Sequence, residues 1–158
     1  MRRDALTAIP LSFLALVVLV ARCSPHTPAA LSDADLARTV AQAEQHYNAQ
    51  EKQGGLVGLK TDILACYAQL GKEAGEAKVA YCVALDDMTT RSNEIYGPGA
   101  EKIMPYFTFG QFNDRATAAA KNSAAGADAA AFQKRVLTAA DPAAKRAADA
   151  QARLFNQQ

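Results

Sequence analysis

The chain has 158 residues, half of them hydrophobic by count, with 17 Lys and Arg against 16 Asp and Glu and no Trp. That length accommodates one domain of ordinary size, and a formal net charge of +1 supplies no global field to attract nucleic acid or anionic lipid. Much of the apolar fraction is Ala, which favours helix but buries little surface, so the core must rest on a limited set of Leu, Ile, Val, Tyr and Phe.

The first element, residues 1–23, reads as a secretory signal segment. Met1-Arg2-Arg3 is a positive start, and the uncharged apolar run Leu11–Ala21 follows Pro10. The run is short for a bilayer span. Val20-Ala21-Arg22-Cys23 is similar to a lipobox, but Arg22 stands where a small residue is needed; lipid anchoring at Cys23 is the alternative to cleavage after Cys23 or Ala29. The expected location is periplasmic or secreted, with membrane contact only if Cys23 is lipidated or the segment is retained. Residues 24–30, with Pro25 and Pro28, read as a linker, and the helical domain is expected over 31–158.

The first helix opens on a cap. Ser32 and Asp35 form the S-x-x-D signature, and Leu31 and Leu36 occupy the two staple positions around it. Leu36, Val40, Ala43 and Tyr47 continue one face until Gly54-Gly55 breaks the helix. A second helix runs from Leu56 to Leu70 with Leu59, Ile63, Cys66, Tyr67 and Leu70 on one stripe, and Gly71 stops it. The third begins within Lys72–Glu76, shows Tyr81, Leu85, Met88 and Ile95 as its apolar face, and ends at Gly97-Pro98. On it, Asp87 and Arg91 are spaced as a surface ion pair, and Asp86, Thr90 and Glu94 read as a solvated polar stripe.

The connection around Gly71–Gly75 is short, which predicts an antiparallel hairpin. Cys66 and Cys82 lie symmetrically about its midpoint and are expected to form a disulfide in an oxidising compartment. Residues 99–107 read as an irregular connection, with one helical turn at Glu101–Met104. Thr108 and Gln111 then make a capping box, with Phe107 and Phe112 as a second staple. The helix so opened runs toward Asn122–Gly126, and Phe132, Val136 and Leu137 point inward from a stretch over 128–138; whether 111–138 is one helix or two is open from sequence. Asp141-Pro142 has the form of an N-cap and first helical residue, which predicts a separate last helix over 142–156. With Leu154 and Phe155 as its only large apolar groups, that helix is expected to be peripheral and to add little stability. The fold class is therefore all-α: a single small domain of about five helices with a disulfide-linked helical hairpin, behind a signal segment.

Chemistry-bearing motifs are scarce. There is no G-x-S-x-G, C-x-x-C, phosphate loop or Ca loop. His46 reads as a solvated residue on the outer side of the first helix, and no metal site or cofactor is expected, because Cys66 and Cys82 would need two further ligands. The aromatic segment Tyr106, Phe107, Phe109 and Phe112 divides into two staple residues and two others. Tyr106 and Phe109, with Tyr96 beside the rigid Gly97-Pro98, are the candidate partner or ligand surface. The expected function is a non-enzymatic interaction or accessory factor acting on an envelope protein of unknown identity; the alternative is a carrier of a small apolar ligand held between helices.

Overall fold

A computed structural model describes residues 30–71, 74–97, 99, 102, 104–123 and 125–157. The expected signal segment, the expected linker up to Ala29 and two residues of the turn expected at 101–104 lie outside the described residues. Among those described, the regular elements are helical: α1 (Asp33–Ala68), α2 (Glu76–Glu94), α3 (Phe109–Lys121) and α4 (Ala129–Phe155), with 3-10 turns at Pro105–Phe107 and Gly126–Asp128.

Both predicted caps are in place. The Ser32 hydroxyl accepts from the Asp35 N–H at 3.1 Å, and the Thr108 hydroxyl from the Gln111 N–H at 3.3 Å. The expected break at Gly54-Gly55 also occurs. Gly55 has φ 54° and ψ −153°, a conformation that glycine adopts without a Cβ penalty. His46 and Asp62 are hydrogen-bonded at 2.7 Å although a straight helix would hold them about 24 Å apart. Hence α1 doubles back into two antiparallel arms, 33–54 and 56–68. The 56–68 arm is in turn antiparallel to α2, joined to it by the Cys66–Cys82 disulfide with a Cα–Cα distance of 5.7 Å. Thr117 Oγ1 to Gln133 Oε1, 3.2 Å, marks a third hairpin, turning near Ala125 between α3 and α4. Segment 111–138 is thus two helices, and the described residues form five antiparallel rods in succession.

Parallel register ties the first and last rods together. Arg135 pairs with Asp33 and Arg146 with Glu44, two contacts with the same separation of 102 residues. Between them lies α2, and its central position overturns two sequence expectations. Every residue from Cys82 to Thr90 is buried, because α1, α3 and α4 all pack on this helix. Asp86 and Thr90 are therefore interior rather than part of a solvated stripe; only Glu94 of that trio is exposed. Asp87 does bond Arg91, at 3.1 Å, but as a buried carboxylate and not as half of a surface pair.

The last helix is a further correction. No new helix begins at Asp141-Pro142; α4 runs through Pro142 without interruption. The missing proline N–H would have bonded the carbonyl of Thr138, and both residues are on the exposed side, so water can satisfy that oxygen. Asp141 binds Arg91 Nη1 at 2.7 Å instead of capping. Nor is the segment peripheral: Ala140, Ala143, Ala144 and Ala147 are buried, while Leu154 and Phe155 are 47% and 51% exposed. Small side chains let α4 approach α2 closely, and this packing carries the helix past its proline.

Candidate functional site

Arm 56–68 and α3 run in the same direction over α2 and leave a groove between them. Leu64, Tyr67, Ala68 and Leu70 form one wall and Tyr106, Arg115, Ala118, Ala119 and Asn122 the other, enclosing about 420 Å³. Tyr67 stands on the predicted stripe of its helix, and Arg115 is placed by the second cap-and-staple, which buries Phe107 and Phe112 and so sets the rotation of α3. Beyond Leu70 and Asn122, an isolated backbone bridge between Ala74 and Ser123 joins the two neighbouring loops.

The groove has a polar floor. Arg115 grips buried Asp86 with two nitrogens, Nε to Oδ2 at 2.9 Å and Nη2 to Oδ1 at 2.8 Å, and its Nη1 donates to the Tyr106 carbonyl at 2.9 Å. Tyr67 Oη donates to Asp86 at 3.1 Å. Burial pushes the Asp86 carboxyl up against the opposing pull of Arg115, Tyr67 and Thr90, and burial followed by the Asp86 charge drives the Tyr67 phenol well above its usual value. Tyr67 thus acts as a donor. The Arg115 guanidinium stacks 3.8 Å from the Tyr106 ring centroid, and Lys60 Nζ lies 5.6 Å from the same centroid.

The chain matches no family model, no curated protein and no solved structure. Function has to be read from the site itself.

Of the three surface residues named from sequence, only Tyr106 enters the groove. Phe109 is exposed in the first turn of α3, and Tyr96 is engaged by α4, its hydroxyl 2.5 Å from Gln151 Nε2 and its ring edge-on to Phe155 at 5.9 Å. His46 is not the solvated residue expected. Its Nε2 bonds Asp62 at 2.7 Å and its Nδ1 bonds Tyr81 Oη at 2.6 Å. The Tyr81 phenol, which burial and then Asp62 hold above its ordinary pKa, is the donor to Nδ1, an arrangement that turns the Nε2–H toward Asp62. This chain of three groups ties both arms of α1 to α2. Asp86, expected in a solvated stripe, and Arg115, not singled out from sequence, form a pair whose 29-residue separation has no local signature; an Arg in an Ala-rich helix was the available signal.

Proposed function

We propose that this chain is an exported, non-enzymatic carrier of a small apolar ligand, held in the groove between arm 56–68 and α3. The observation that carries the reading is the groove itself: aliphatic and aromatic walls around a few fixed polar groups, in the volume range of small-molecule sites. Leu64, 48% exposed on that wall, is a large apolar side chain that no element among the described residues covers. Export is supported by the N-terminal segment and by the disulfide, which suits an oxidising compartment. No described helix is long and apolar enough to cross a membrane.

An accessory factor that docks an envelope protein is the second reading. Val57 and Leu64, both exposed on the same arm, favour it by extending apolar surface beyond the groove. The two part company in one experiment. An apolar fluorescent dye should bind the mature protein, be displaced by an organic extract of the envelope, and be lost in Leu64→Arg. Dye binding unchanged by that substitution would sink the carrier reading, while recovery of one cross-linked protein partner from intact cells would favour the accessory one.

A further inference from the structure

We infer that the groove selects an anionic single-chain amphiphile, of the fatty-carboxylate class, with its head group at the Lys60 and Arg115 end and its chain directed toward Leu70. The inference rests on the carrier reading and adds the chemistry and direction of the ligand.

Charge is distributed along the groove, not around it. Arg115 and Lys60 converge on one phenol ring at 3.8 Å and 5.6 Å. From Arg115 the α3 wall continues through Ala118 and Ala119 to Asn122, about 10 Å along the helix axis. The opposite wall passes in the same direction from Leu64 to Leu70, and Lys60, one helical turn before Leu64, stands outside that lining with its ammonium 5.6 Å from the Tyr106 ring. One end is therefore cationic and the walls beyond it are mainly apolar, with Asn122 at the far end, which is the polarity of an amphiphile.

The sign of the head group follows from what is already neutralised. Asp86 is fully buried and its charge is answered by the two-nitrogen grip of Arg115. Lys60 has no carboxylate partner among the described residues, and its ammonium sits beside the Tyr106 ring. A cationic head is disfavoured twice: by Lys60, and because the Tyr106 face that would hold a quaternary ammonium is already stacked by Arg115. A carboxylate meets an ammonium and the edge of a guanidinium beside low-dielectric walls, where such attraction is stronger than in water.

The test compares three ligands of one chain length, dodecanoate, dodecanol and dodecyltrimethylammonium, by calorimetry on the full mature protein below their aggregation concentrations. Dodecanoate should bind about tenfold tighter than dodecanol, and the cation more weakly than either. Lys60→Glu, a change on a half-exposed residue whose melting temperature serves as the folding control, should abolish the preference while leaving dodecanol affinity within about threefold. Lys60→Gln should give an intermediate preference. Equal binding of all three, or a preference for the cation, would overturn the inference and leave the carrier reading standing. No binding of any of the three to the folded protein would overturn both.

Discussion

Asp87 is buried with one oxygen on Arg91 Nε and the other, Oδ2, without a hydrogen-bond partner among the described residues. Burial raises its pKa, with Arg91 pulling the other way. The folded state then binds the proton more readily than the unfolded chain, so the cost of an ionised Asp87 is absent below the unfolded value of 3.8 and grows as pH rises through the folded one. Asp87→Asn should exceed the parent in stability by about 1 kcal/mol at neutral pH, and the difference should vanish as pH falls below 3.8. Urea midpoints over a pH series measure this; a pH-independent difference would place the effect in packing. Tyr47 provides a contrast. Its buried hydroxyl donates to Ser92 Oγ at 2.7 Å, and burial pushes its phenol up to about 12. Ser92 also donates to the Met88 carbonyl and would keep that bond, so Tyr47→Phe should cost about 1 kcal/mol and show no pH dependence near neutrality.

Among the elements, α4 separates local preference from packing most clearly. Were Pro142 the first residue of a separate helix, replacing it would remove a favoured starter and destabilise the protein. Inside a continuous helix, the same change restores a backbone donor to the Thr138 carbonyl. Pro142→Ala should therefore stabilise by about 1 to 3 kcal/mol in chemical denaturation. Truncation after Asp141 tests the same packing from the other side. It deletes buried Ala143, Ala144, Ala147 and Gln151 together with the Arg146–Glu44 pair. The truncated chain should lose its cooperative thermal transition, as followed by circular dichroism, because α2 depends on α4 to cover one of its faces. A folded truncation product with a slightly lower midpoint would restore the peripheral role that the sequence suggests.

Across the whole molecule, the disulfide joins the 56–68 arm to α2 over a sequence separation of 16 residues. Replacing both cysteines by Ala should lower unfolding free energy by about 3 kcal/mol in the chain-entropy model. Because Cys66 belongs to the same arm as Leu64 and Tyr67, loosening it should also weaken dye binding in the groove. A variant equally stable to the parent would show that packing on α2 alone holds the arm. Packing of the other rods around α2 explains how an Ala-rich chain without Trp forms a core: α2 buries every residue from Cys82 to Thr90, so few large side chains are needed elsewhere.

Local signals in the sequence determined the helices and their punctuation. Ser32 and Thr108 caps, the Gly54-Gly55 turn and the Cys66–Cys82 pairing all act within one or two turns of chain, or across one short connection, and each stands where its residues place it, whereas the helix expected to reach Leu70 before Gly71 ends at Ala68 on a Gln69 cap. Tertiary structure decided the environment of those helices. Asp86, Asp87 and Thr90 are polar residues at a spacing that suits water, and only the convergence of α1, α3 and α4 on α2 makes them interior. Arg115 finds Asp86 29 residues away, and His46 finds Tyr81 35 residues away, distances over which a single sequence has no periodicity to read. Pro142 remains within a helix for the same reason: a local preference worth a few kcal/mol yields to the burial of an alanine face along 27 residues.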